Sequence, residues 1–167
     1  MWLIAGLMMI QDAQPSPPPP PCASEAHAQL DYWVGEWDVF PTNDPDRKVA
    51  DSVIEKLYDG CAVRENWMPL GRTGGGSLNS LRDDGRWHQR WIGSSGETVD
   101  FVGGPDAEGN MVMTGWWANY AGPGQHRFVR MTYFRNADGS VRQLGEISSD
   151  HGMTYTTGYD LTYRRKT

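Results

Sequence analysis

An all-β fold, an antiparallel up-and-down barrel of about eight to ten strands, is what this sequence predicts. Three observations lead there. From Asp31 to the C-terminus, short stretches alternate between apolar and polar residues with a period of two. Tight-turn pairs punctuate them: Asp59-Gly60, Asp84-Gly85, Ser95-Gly96, Glu108-Gly109, Asp138-Gly139 and His151-Gly152. The 167 residues also include 20 glycines and 8 tryptophans, which suit many turns and broad pleated surfaces better than long helices.

The pattern places strands at 32–40, 49–58, 61–68, 76–82, 86–92, 97–103, 110–117, 126–135, 140–148 and 154–165. Short turns between sequence neighbours make a meander, and closing it removes exposed strand edges. An open two-sheet sandwich is the alternative. A helical turn is expected only near 24–30.

Length suits one domain with a self-supporting core, here residues 30–167. With 15 Lys+Arg against 21 Asp+Glu, the net charge of −6 argues against nonspecific binding to nucleic acid or anionic membranes.

Residues 1–14 read as a truncated signal or leader. The apolar run 2–10 is too short to span a bilayer but fits the core of a secretory signal, although no basic residue precedes it. Residues 15–29 form a proline-rich linker, with Pro17 to Pro21 in an extended polyproline conformation. The expected location is periplasmic or secreted, with no stable membrane insertion once the leader is removed.

Cys22 and Cys61 are too far apart for a redox pair, and nothing nearby supplies zinc spacing. In an oxidising compartment they most simply bond to each other.

Alternation assigns faces. Val63, Glu65 and Trp67 share one side of their strand, and Trp87, Gln89 and Trp91 share one side of theirs. The aromatic sides are expected to point inward, carrying Glu65 and Gln89 with them.

The segment Leu30-Asp31-Tyr32-Trp33-Val34-Gly35-Glu36-Trp37 resembles the opening of lipocalin-like barrels, with Gly35-x-Trp37 as its signature. The ordered set from Cys22 through Asp59-Gly60-Cys61-Ala62-Val63-Arg64-Glu65-Asn66-Trp67, Gly85-Arg86-Trp87-His88-Gln89-Arg90-Trp91 and Tyr159-Asp160-Leu161-Thr162-Tyr163 looks like the bacterial exported lipocalin-like proteins related to the domain-of-unknown-function family numbered 1579. The resemblance covers nearly all of 22–166 and implies the barrel but no reaction. It also implies that a first-strand tryptophan, Trp33 or Trp37, closes the base and that Arg164 or Arg165 stacks on it. The chain departs from the pattern at Gly145, where tryptophan is expected, and at Tyr155 and Tyr159. If Gly145 faces the cavity, its missing large side chain could enlarge or reshape that space.

The site expected from these residues holds a small hydrophobic or amphipathic ligand. Glu65, Asn79, Gln89 and Arg130 are its polar contacts, with Arg130 partnering Glu65. Trp67, Trp87, Trp91, Met111 and Met113 are its apolar walls. The same polar groups could instead be a hydrogen-bond network that sets strand register. Glu65 and Glu146 could act as acid and base in a cofactor-free hydrolase or isomerase. His126 is the best placed histidine for a haem alternative. A filled barrel serving as an envelope interaction module is the remaining reading. No metal motif, nucleophile elbow or phosphate loop stands in the chain, so no cofactor is expected. The residue Gly74-Gly75-Gly76 cluster reads as a barrel-mouth loop.

Overall fold

The computed structural model describes residues 21–167; the expected leader at 1–14 and most of the proline tract lie outside the described residues. The alternation resolves into ten strands: β1 (Gly35–Pro41), β2 (Ala50–Leu57), β3 (Ala62–Pro69), β4 (Gly75–Leu81), β5 (Trp87–Gly93), β6 (Thr98–Pro105), β7 (Met111–Trp117), β8 (Arg127–Arg135), β9 (Val141–Ser148) and β10 (Thr156–Arg165). Each pairs antiparallel with its sequence neighbour, and β10 returns to pair with β1 through Trp37↔Arg165 and Val39↔Tyr163. The barrel is closed, which excludes the open sandwich.

Because strands alternate in direction, successive connections lie at alternate ends. The β2–β3, β4–β5, β6–β7 and β8–β9 turns share one end with the N-terminal segment. That segment is a plug. Asp31–Trp33 forms a 3₁₀ turn rather than the start of the first strand, with Trp33 N–H donating to the Leu30 carbonyl at 3.0 Å. Burying Leu30 and Trp33 in the barrel base is what draws this stretch out of the sheet. Gln29 accepts from Trp87 Nε1 at 2.9 Å, Tyr32 donates to the Tyr133 carbonyl at 2.9 Å, and Lys56 meets Asp31 at 2.5 Å. The Cys22–Cys61 disulfide ties the segment to the β2–β3 turn, as expected from sequence.

Trp37 is fully buried, and its Nε1 donates to the Trp33 carbonyl at 2.8 Å. Arg165 lies 4.5 Å over the Trp37 ring, while Arg164 covers Phe40 instead. Gly35 explains its place in the motif, since a Cβ there would fall 2.4 Å from Arg165 Nη1. At the far end of the chain, β10 begins later than expected. The Asp150 carboxylate accepts from the Thr154 N–H at 2.9 Å and from its hydroxyl at 2.6 Å, holding these residues in a loop.

Two expectations need correction here. Gly75 and Gly76 belong to β4, not to a mouth loop. A Cβ on Gly75 would press on the Trp91 indole at 2.7 Å and on the Ile92 carbonyl at 2.6 Å, so the glycines let β4 and β5 close around tryptophan. Gly145 does not leave a void, because the Tyr159 ring lies over it.

Candidate functional site

Opposite the plug, the barrel opens into a cavity of about 350 Å³. Its walls are aromatic: Trp67 at the upper end of β3, Trp91 of β5, Phe101 of β6, Trp117 of β7 and Tyr159 of β10. These follow from simple alternation, since inward positions two residues apart climb each strand from base to mouth. Pro41, Val49 and Arg72 stand at the rim.

Below the aromatics runs a belt of buried polar groups that forms a closed ring of hydrogen bonds. Ser77 Oγ donates to Glu65 Oε2 at 3.2 Å, and Asn79 Nδ2 donates to Ser77 Oγ at 3.3 Å and to the Val63 carbonyl at 2.9 Å. Gln89 Nε2 donates to Asn79 Oδ1 at 2.8 Å and to the Tyr133 hydroxyl at 3.1 Å. Gln143 Nε2 reaches the same hydroxyl at 3.1 Å, and Gln143 Oε1 accepts from Tyr163 at 2.8 Å. Tyr163 also lies 3.3 Å from Glu65 Oε1, which completes the circuit. Ser52 adds a weak donor to the same oxygen at 3.4 Å.

Glu65 is the only ionisable carboxyl in this ring. Burial pushes it up to about 7, against the opposing pull of its donors Ser77, Tyr163 and Ser52. Tyr163 has one proton and stands closer to Gln143, at 2.8 Å, than to Glu65, at 3.3 Å, so its pull on the carboxylate is weak and burial prevails. Burial raises Tyr133 and Tyr163 well above the ordinary phenol range, so both keep their protons.

Of the residues expected at the site, Glu65, Trp67, Gln89 and Trp91 line the cavity. Asn79 is fully buried just behind it and orients Gln89. Trp87, Met111 and Met113 are fully buried and absent from the cavity wall; Trp87 belongs to the base, through Gln29.

Arg130 and Glu146 are corrections. They face each other across β8 and β9 on the outside of the barrel, with Arg130 Nε and Nη2 donating to the two Glu146 oxygens at 2.8 and 2.9 Å. Arg130 also lies 4.0 Å over the Tyr155 ring. The inward set of β8 is Val129, Met131 and Tyr133. Both faces of that strand carry aromatics, so alternation alone could not choose between them. Arg130 therefore does not partner Glu65, and Glu146 forms no acid–base pair with it.

His126, the histidine of the haem alternative, is exposed beside β8; its Nδ1 accepts from Asn119 N–H at 3.2 Å, and it does not line the cavity. His88 points outward to Asp100 at 2.8 Å. Among the described residues no group of three His, Cys, Asp or Glu could hold a metal ion.

Sequence reasoning missed Tyr133, Gln143 and the wall made by Tyr159, Leu161 and Tyr163. The last three did carry a signal, a period of two within β10. Trp116 and Trp117 divide between the two faces of β7, one exposed and one against the cavity. No family model matches the chain, and no curated protein matches it either, so its own geometry carries the functional argument.

Proposed function

We propose that this protein is an exported, lipocalin-like barrel that binds one small, mostly apolar molecule in its interior. One observation carries the reading: an open cavity of about 350 Å³ with aromatic walls and a polar floor. Ligand sites of this size are commonly apolar with a few placed polar groups. A filled structural barrel would need neither the space nor the opening. Export is supported by the Cys22–Cys61 bond, which persists in oxidising compartments, and by the leader-like run at 2–10. Relation to the exported family numbered 1579 is part of the same proposal and rests on the residue pattern.

Native mass spectrometry of protein purified gently from its own host tests it, with an absorption spectrum alongside. A discrete non-covalent mass lost on denaturation is the expected result. A bare polypeptide that also fails to take up apolar probes would overturn the reading in favour of an interaction module. A Soret band would replace the apolar ligand with haem.

A second reading, a cofactor-free hydrolase or isomerase, draws on Glu65 alone. A carboxyl near neutrality lining a largely apolar cavity has the affinity an acid–base catalyst needs. Glu65→Gln would abolish turnover in such an enzyme, whereas in a binder it changes only affinity or stability.

A further inference from the structure

We propose that the mouth end of the barrel docks reversibly on a lipid surface of no net charge, turning the cavity opening toward the acyl chains. Exchange of the cavity's occupant with the bilayer, the purpose such docking serves, rests on the cavity being a binding site.

The placement of exposed apolar side chains points there. Among the described residues, Met68, Leu70, Ile92, Trp116 and Met153 are large, apolar, exposed and gathered at the mouth end. Leu78 lies partway down β4, and Tyr58 alone is exposed at the base. Apolar residues scattered singly over a surface are ordinary, whereas a set collected around one opening marks an interaction site.

The set forms two patches, on either side of β6. Met68 and Ile92 line one groove on the outer wall, and Gly76, on the strand between them, adds no side chain to cover it. Trp116 forms the second patch, its ring 5.3 Å from Phe128 and 5.3 Å from His151, with Met153 close by in sequence.

Three of these residues adjoin tryptophans of the cavity wall: Met68 follows Trp67, Ile92 follows Trp91, and Trp116 precedes Trp117. Successive residues of a strand face opposite ways at nearly one height, so the barrel is apolar inside and out at the level of its mouth. Lower on the same outer faces stand Arg64 and Asn66 of β3 and His88 and Arg90 of β5. A wall facing only water would keep that polar character to its end. A collar that turns apolar around an opening matches the boundary between water and acyl chains, where tryptophan is also favoured.

Charge orients the molecule the same way. The plug and the base turns carry Glu25, Asp31, Asp59, Asp106, Glu108 and Asp138, while the arginines there, Arg82 and Arg86, only offset Asp83 and Asp84. The mouth connections nearly balance, with Arg47, Lys48 and Arg72 against Asp44, Asp46, Glu97 and Asp150. An end close to neutral meets a zwitterionic surface without repulsion, and the acidic end stays in water. Patches set around an opening suit a fluid surface better than a folded partner, which would close the hole.

Flotation with phosphatidylcholine vesicles tests this, with circular dichroism to confirm folding. Wild-type protein is expected to float with the vesicles. Ile92→Asp combined with Met153→Asp, at positions 56% and 82% exposed, should lower the partition coefficient at least about tenfold. Tyr58→Asp removes an equally exposed apolar group from the base and should change it less than about twofold. Equal losses from the two ends, or no loss from the mouth variant, would overturn the docking. So would binding that requires phosphatidylglycerol and disappears in salt, which is attraction by charge alone. Wild-type protein that ignores vesicles overturns it too; a mass that doubles with concentration in wild type but not in the mouth variant would then give the patches to a second copy of the chain. Should the mouth variant fail to fold, phosphatidylcholine brominated on its acyl chains reads the same contact. It is expected to quench tryptophan fluorescence in wild type and less in Trp116→Phe, and an absence of quenching would overturn the docking. None of these failures touches the cavity, whose occupancy native mass spectrometry reads separately.

Discussion

The Tyr159 ring fills the space that a side chain on Gly145 would need. The two residues face each other across β9 and β10, and a Cβ on Gly145 would fall 2.1 Å from Tyr159 Cζ. Tyr159 donates its hydroxyl to Met131 Sδ at 3.3 Å, anchoring the ring over the bare backbone. An aromatic laid across a cross-strand glycine restores the packing that the glycine lacks.

Gly145→Ala is therefore expected to displace the Tyr159 ring toward the cavity and to destabilise the protein by about 1–3 kcal/mol, the usual cost of overpacking. Denaturant unfolding measures the loss. Because the conflict is with one ring, Tyr159→Ala in the same chain should recover part of it. Losses that simply add would show that the glycine matters for another reason.

Glu65 should make stability fall as pH rises. Its carboxyl is raised to about 7 in the folded protein from 4.5, so between those values the folded state holds a proton the unfolded chain has released. Stability is then full below about 4.5, declines up to about 7, and levels off above, with a total change of about 3 kcal/mol. Glu65→Gln, which keeps the neutral shape, should flatten this decline. Unfolding curves at pH 5 and pH 8 decide it; an unchanged slope in the variant would assign the proton elsewhere.

Arg130→Ala is expected to leave ligand affinity unaltered and to cost less than about 1 kcal/mol. The Arg130–Glu146 pair is part exposed on the outer wall, where ion pairs contribute little. A fluorescence titration checks the affinity, and a loss beyond about threefold would place the pair in the site after all.

Replacing both Cys22 and Cys61 by serine removes a cross-link spanning 39 residues of sequence. The chain-entropy estimate for that loop is about 4 kcal/mol. Because the bond anchors the plug, the variant should also increase amide exchange at Leu30 and Trp33, which are fully buried in the base. Protected plug amides in a folded variant would show that packing alone holds the segment.

Much of the barrel is legible in one dimension. Turn pairs such as Asp84-Gly85 and Asp138-Gly139 end strands for local reasons, and an inward tryptophan at 67 or 91 brings Glu65 or Gln89 inward with it two residues away. Local chemistry thus determined the strand count, most boundaries and the faces of β3 and β5.

Tertiary structure alone decided which inward residues meet. Alternation fixes a side chain's face but not its height in the barrel, which depends on strand stagger at closure. Met113 and Trp67 are both inward-facing, yet one is sealed in the core and the other lines the cavity. Closure also brings Tyr163 to Glu65 across 98 positions of sequence, while the two faces of β8, both bearing aromatics, are told apart only by what packs against them. The polar ring exists because strands distant in sequence share one circumference, a relation that no local pattern encodes.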